Sequence, residues 1–206
     1  MSLLWLIFCC AVAYLLSAMP WSVWLGAWFF ARDPRRQRDG NPGAANAFRA
    51  AGWQLGLPVL TLDFFKAFLP VAAGCWILGF TDPQLFWLAC MSSLGHAFSV
   101  FLGFRGGRGI VVMFGVWAGL TLYQVPIVLG CVALGGLVLL NNDEYRALAL
   151  PVALIAYLLI TRAPGWMVLL AVTQLGILAL KIGIFLAQSQ RHGGGRSCER
   201  RQIGAP

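Results

Sequence analysis

The sequence predicts an all-α fold: a polytopic membrane helix bundle of about seven transmembrane helices, with the N terminus outside and the C terminus inside. Three observations carry this. First, 60% of the 206 residues are hydrophobic, only 11% are charged, and the mean hydropathy is +0.78. A soluble domain carries about 25% charged residues, so this composition cannot supply a polar surface. Second, the apolar residues fall in runs near the roughly 20 residues that a helix needs to cross a bilayer. Third, the arginines cluster in the segments between alternate runs.

The elements follow in order. Ser2 to Ala31 is the first apolar run, too long and too weakly basic at its start for a cleaved signal peptide. Pro20 inside it marks a kink or an early end. Residues 32–54 form a polar stretch with five arginines. Leu55 to Phe80 is the second span, interrupted by Asp63 and Lys66. A turn at Thr81-Asp82-Pro83-Gln84 leads to the third span, Leu85 to Phe104. Ile110 to Leu140 is long for one helix, and Gln124-Val125-Pro126 near its middle splits it into two short spans. After polar Asn141 to Arg146 come Ala147 to Ile160 and Trp166 to Ala187. Residues 1–190 thus read as a single transmembrane domain, and 191–206 as a flexible basic cytoplasmic tail.

The net charge of +8 is compatible with nucleic acid, but its distribution fits a membrane better. With the N terminus outside, twelve of the 15 Lys and Arg residues fall in inner segments or the tail, and only Arg162 falls outside. That is the positive-inside pattern, and nucleic acid is excluded as a partner. Cys9, Cys10, Cys75, Cys90, Cys131 and Cys198 form no CxxC pair and read as small apolar residues. With only His96 and His192, no metal site is expected.

Four features stand above this background. In the first inner loop, Asp39-Gly40-Asn41-Pro42-Gly43-Ala44-Ala45-Asn46 leads to Arg49. Asn-Pro-Gly forces a turn, with proline fixing φ and Gly43 tolerating positive φ. Such a turn aims backbone N–H groups at an anion, or simply caps a loop whose arginines set topology. The second feature is Arg105-Gly106-Gly107-Arg108-Gly109. Its glycines permit close backbone approach while two guanidiniums flank a ligand such as phosphate, and again the plainer alternative is a topology-setting loop. Third, Asp63 and Lys66 share one helical face and either pair or act on a ligand. Fourth, His96 lies one to two turns before the Arg-Gly-Gly-Arg loop and is either a packing residue or a base. Two phosphate-suited loops on one side suit an enzyme joining a soluble phosphate to a lipid-like partner, or a phospho-metabolite transporter.

The same residues resemble a known family. Asp33-Pro34-Arg35 through Asn46 to Arg49 is similar to D-I-R-x-x-G-S-G-N-P-G-A-T-N-x-x-R, and Leu62-Asp63-Phe64-Phe65-Lys66 to L-D-x-x-K. Gly95-His96 through Arg105-Gly106-Gly107-Arg108-Gly109 resembles G-H-x-F-P-x-F-L-x-F-K-G-G-K-G. These are signatures of the bacterial PlsY-type acyl-phosphate:glycerol-3-phosphate acyltransferases. The resemblance covers residues 1–115, in the family's order and at similar separations.

It implies a membrane enzyme that moves an acyl chain from acyl phosphate to the 1-hydroxyl of glycerol-3-phosphate, giving lysophosphatidate for phospholipid synthesis. It implies no cofactor and no metal, a bacterial cytoplasmic (inner) membrane location, an active face toward the cytoplasm, and membrane lipid as surroundings. Carried onto this chain, Asp39 and His96 become the catalytic candidates. Asn41, Gly43, Asn46, Arg49, Lys66, Arg105, Gly106, Gly107, Arg108 and Gly109 become the substrate-binding ones. The chain also departs from the family. Asp39 stands where the family has serine, Ala45 where it has threonine, and arginines replace both lysines of K-G-G-K-G. The T-R-Y-V-S-like loop is Asn141 to Arg146 here, and the late H-R-x-N-I motif has no counterpart beyond Arg191-His192. These departures keep open a diverged enzyme with another phosphorylated acceptor, and a noncatalytic transporter.

Overall fold

A computed structural model describes residues 2–202, with side chains as far as Ala187. Among the described residues every regular element is helical. Helix α1, Leu3–Ala18, opens on Ser2, whose hydroxyl accepts the Trp5 N–H. It stops before Pro20, and α2, Trp21–Phe30, continues at a bend of 40°. The expected kink at Pro20 is therefore present: proline removes a helical donor and clashes with the preceding turn. Asp33 then caps a 3-10 turn over Pro34–Arg36.

Helix α3, Ala44–Ala72, has an internal break at Ala51–Gly52, where Gly52 adopts φ +65°. It runs into a π-helical turn, Ala73–Ile77. Helix α4, Asp82–Ala97, begins where the Thr81 N–H donates to Gln84 Oε1 at 2.9 Å, half of a capping box. After a 3-10 turn at Val100–Leu102 come α5, Ile110–Thr121, and α6, Gln124–Leu139. The split within 110–140 is as expected, with Leu122 forced to φ +56° between the two helices. Helix α7 spans Asp143–Ile160 and α8 spans Gly165–Gln202.

Three expected boundaries shift. Residues 32–54 are not one loop, because α3 already starts at Ala44. The third apolar run stops being α-helical at Ala97, seven residues before Phe104. The polar segment 141–146 is mostly the first turn of α7, since the Asn142 side chain accepts the Glu144 and Tyr145 N–H groups. The expectations for the tail, 191–206 with His192, lie outside the described side chains.

The bundle packs α3 against α5, α1 against α4, and α7 against α8. Small residues set these approaches. A Cβ on Gly115 or Gly119 would overlap α3, and one on Gly95 would overlap the Tyr14 carbonyl of α1. Close backbone approach through glycine is the usual way membrane helices gain contact area, because lipid supplies no hydrophobic drive between them. Trp117 is fully buried and donates to Gln174 Oε1 at 2.7 Å, while Gln174 Nε2 donates to Ser93 Oγ at 3.0 Å. That chain ties α5, α8 and α4 together. Outward faces are apolar: Ile77, Val138 and Ile160 are each at least 80% exposed.

Three helical stretches are long and apolar enough to cross a membrane: Ala44–Ile77, Asp82–Leu102 and Gly165–Ala187. The bent pair α1–α2 makes a fourth. Helices α5 and α6 have 12 and 16 residues. At 1.5 Å per residue both fall short of a hydrocarbon core about 30 Å thick.

Candidate functional site

Asp39 organises the first loop. Its Oδ1 accepts the Asn41 N–H at 3.2 Å and Asn46 Nδ2 at 2.8 Å. Asn46 Nδ2 also reaches the Asn41 carbonyl at 3.0 Å, and its Oδ1 accepts from Arg49 at 2.9 Å. The buried Asn46 thus folds the loop back on the first turn of α3. Positive φ falls on Gly40, at +75°, not on Gly43 as the Asn-Pro-Gly reading expected. Gly43 is extended and serves as the N-cap of α3, with no side chain capping that helix. The first-turn N–H groups of α3 are therefore left to a ligand or solvent, and a helix N terminus favours anions.

The second loop is held by the first and by α4. The Arg108 N–H donates to Asn41 Oδ1 at 3.1 Å, and the Gly107 N–H donates to the His96 carbonyl at 3.1 Å. A Cβ on Gly106 would overlap the His96 carbonyl, and one on Gly107 would overlap the His96 ring. The close approach that these glycines permit is thus to His96, where a ligand was expected.

The two arginines line different cavities. Arg108 lines a cavity of about 320 Å³ together with Arg38, Asp39, Asn46, Arg49 and Arg146. Arg105 lines another of about 970 Å³ with Arg35, Arg36, Gly106 and Lys181.

In the smaller cavity the cations are matched by acids. Arg108 Nη2 lies 2.8 Å from Asp39 Oδ2 and 3.7 Å from Glu144 Oε1. Arg108 Nη2 is thus charge-paired with Asp39, while Arg108 Nε is a buried donor with no acceptor among the described residues. Buried donors of this kind are costly unless something accepts from them. Asp143 gathers three more arginines: it pairs with Arg38, lies 3.8 Å from Arg49, and lies 3.1 Å from Arg146. The far wall is apolar, made by Ile110, Ala133, Leu137, Ala147 and Leu150. In the larger cavity, Arg35 is taken up by Asp33, with Nη2 to Oδ2 at 2.7 Å. The Arg35 guanidinium holds the Asp33 carboxyl below its usual range.

Asp63, Lys66 and His96 are buried. Lys66 Nζ is 2.7 Å from Asp63 Oδ1 and donates to the Met19 carbonyl at 2.8 Å. The pair therefore locks α3 to the break between α1 and α2, where an interrupted helix exposes carbonyls. His96 and Lys66 share a small void of about 10 Å³ with Ser99, Gly106 and Gly107. His96 is buried under the Arg-Gly-Gly-Arg strand and does not line the cavity that holds Asp39. Gly109, at φ +81°, turns the strand into α5. Among the described residues no three His, Cys, Asp or Glu side chains gather as a metal site.

Asp39, Asn41, Asn46, Arg49 and Arg108, all candidates from the sequence, line the smaller cavity, and Arg38, Asp143, Glu144 and Arg146, which were not candidates, line it with them. A signal existed for two of them. Asn142 followed by Asp143 and Glu144 is a helix start with acids in its first turn.

The chain also resembles known proteins. The sequence profile of the family described as Glycerol-3-phosphate acyltransferase matches residues 7–192. A Thermotoga maritima protein, Glycerol-3-phosphate acyltransferase 1, is 48% identical over 99 residues, covering 47% of this chain and 49% of that protein. A Glycerol-3-phosphate acyltransferase from Pseudomonas paraeruginosa is 36% identical over 122 residues, 59% of this chain and 63% of the relative. The matches thus span about half to three-fifths of these curated relatives' length. The crystal structure of PlsY (YgiH), an integral membrane glycerol 3-phosphate acyltransferase in its glycerol 3-phosphate form, superimposes with a TM-score of 0.80. It is 25% identical, over 93% of each chain. Its lysophosphatidic acid form gives a TM-score of 0.76 at 24% identity, over 89% of this chain and 93% of that one, and bears on the fold alone. Matched along nearly its whole length by profile and by fold, this multi-pass membrane protein belongs to the glycerol-3-phosphate acyltransferase family.

Proposed function

We propose that the chain is a membrane acyltransferase that moves a fatty acyl group from acyl phosphate to the 1-hydroxyl of glycerol-3-phosphate. The products are lysophosphatidate and inorganic phosphate. The observation that carries this reading is the smaller cavity. Its lining combines Arg108, charge-paired with Asp39, and the uncapped first turn of α3 with the apolar side chains of Ile110, Ala133, Leu137, Ala147 and Leu150. That pairing suits a phosphate joined to a hydrocarbon chain. The hydroxyl oxygen attacks the acyl carbon, the carbon–oxygen bond to phosphate breaks, and the electron pair leaves with the phosphate. Arg49 and Arg108 offset the charge on that leaving group, and most of the rate comes from holding hydroxyl and carbonyl together. Asp39 is the carboxylate positioned to accept the hydroxyl proton. His96 supports the reaction from below, by holding the Gly106–Gly107 strand. Arg105 belongs to the second cavity. About seven spans, an outside N terminus, and an active face on the cytoplasmic side of a bacterial inner membrane complete the proposal, supported by the distribution of arginines.

The test is lysophosphatidate formation by the purified protein in lipid, from palmitoyl phosphate and labelled glycerol-3-phosphate, with palmitoyl-CoA as control donor. Product with acyl phosphate and none with the thioester is expected. No product, with uptake of the label into vesicles, would establish the transporter instead.

A further inference from the structure

The roles given above to Asp39 and Arg108 fall on two side chains that already hold each other. Arg108 Nη2 lies 2.8 Å from Asp39 Oδ2. The other carboxylate oxygen, Oδ1, accepts from the Asn41 N–H and from Asn46 Nδ2. Only Oδ2 is left to take a proton, and it is the oxygen that meets the guanidinium. Arg108 in turn has little else to bind. Its side chain is buried, and its Nε has no acceptor among the described residues. Glu144 Oε1 is 3.7 Å from Nη2, beyond hydrogen-bond reach. Asp143 does not compete, since it pairs with Arg38, Arg49 and Arg146. The carboxylate needed by the attacking hydroxyl and the cation needed by the leaving phosphate thus form one charge-paired unit in the cavity wall.

We propose that the pair couples the two halves of the reaction: the proton that Asp39 takes from the attacking hydroxyl releases Arg108 to the departing phosphate. The coupling rests on the acyl-transfer reading above. As the hydroxyl oxygen bonds to the acyl carbon, its O–H bond breaks and the proton passes to Asp39 Oδ2. The carboxyl is then neutral, and its hold on Arg108 drops from an ion pair to a dipole. The bond from acyl carbon to phosphate oxygen breaks, and the electron pair stays with the phosphate. The negative charge lost at Asp39 reappears on the phosphate, and the guanidinium follows it. No uncompensated charge is left in the buried wall, where it would be costly. The proton then passes from Asp39 to the phosphate, which leaves as hydrogen phosphate, and the ion pair re-forms. Before transfer the pair keeps Arg108 from the substrate, so its hydrogen bonds to phosphate are gained mainly in the transition state, where they accelerate the reaction.

Asp39→Asn keeps the shape of the side chain and an acceptor for the loop, but neither takes the proton nor holds Arg108 by charge. In nanodiscs, titration calorimetry should show inorganic phosphate bound about tenfold more tightly than by the wild type. For lysophosphatidate formation, kcat should fall about a hundredfold or more, and KM for palmitoyl phosphate should fall with it. Adding Arg108→Ala to Asp39→Asn should abolish the gain in phosphate affinity. Asp39→Glu, which restores a carboxylate, should return the affinity toward the wild-type value with part of kcat, and it serves if Asp39→Asn does not fold. Lower kcat with unchanged or weaker phosphate binding would overturn the coupling, because Asp39 would then act without restraining Arg108. Unchanged kcat would overturn it as well, as would a gain in affinity that persists without Arg108. If the wild type makes no lysophosphatidate, the acyl-transfer reading fails and the coupling with it. Product from the wild type, with phosphate affinity unaltered in Asp39→Asn, overturns the coupling alone.

Discussion

The smaller and the larger cavity each have four cations and differ in their acids. Arg38, Arg49, Arg108 and Arg146 share theirs with Asp39, Asp143 and Glu144. Arg35, Arg36, Arg105 and Lys181 face only Asp33. In the first, ion pairs hold each guanidinium in place before any ligand arrives. A ligand there displaces few charges and gains mainly from geometry. In the second, charge is left over, and attraction for an anion is strong but loosely directed.

The hardest blow to this comparison is struck at the loop from Arg105 to Arg108, which lends one arginine to each cavity. Gly106→Ala places a Cβ into the His96 carbonyl and 2.8 Å from the Ala97 carbonyl, and neither backbone group can yield. Acyl transfer should fall, with a stability loss of about 1–3 kcal/mol in thermal or denaturant unfolding. Retention of full activity would mean that the loop does not place Arg108.

Arg108→Ala strikes the smaller cavity alone. The kcat/KM for acyl transfer should drop about a hundredfold or more, as for other lost charge-stabilising donors. Full activity would remove the smaller cavity from the reaction. Asp143→Asn tests prior placement of the arginines. Arg38, Arg49 and Arg146 lose their shared partner, so KM for glycerol-3-phosphate should rise about fivefold with kcat little changed. A lower KM would show that Asp143 competes with the substrate.

The smallest expected effect is in the open cavity. Asp33→Asn frees Arg35 and should tighten phosphate binding there about twofold at low salt. Acidification should mimic the change only at low pH. Arg35 depresses the Asp33 pKa, so the carboxylate keeps its charge down through the usual carboxylate range, and the pair opens only below it. Protonation of Asp33 should therefore leave the affinity between pH 7 and 5 unaltered, measured with a ligand whose own charge is constant over that interval.

Several parts of this molecule were readable residue by residue. Pro20 and Pro126 mark breaks because proline lacks a donor, and the helices break within a few residues of each. Asp63 and Lys66 pair because three residues put them on one face. Other parts were misread for local reasons. Residues 44–46 looked like the end of a loop because Asn46 is polar, yet α3 already starts at Ala44, and its Ala44, Ala47 and Ala50 pack with Leu55 and Val59. Asn142 to Arg146 looked like loop for the same reason, although Asn142 caps a helix.

By itself the sequence determined an apolar, all-helical membrane chain and the segments in which its arginines gather. Those follow from composition and local spacing. The division of labour between Arg105 and Arg108 was decided only in three dimensions. Gly106 and Gly107 lack side chains because His96 is against them, and that contact fixes the course of the loop from Arg105 to Arg108. Lys181 became visible in the same way. A lysine in a span is unremarkable until the fold shows that no acid reaches it and that two aromatic rings and a cavity do. Which charges neutralise one another is a property of distance across elements, and a linear chain does not carry it.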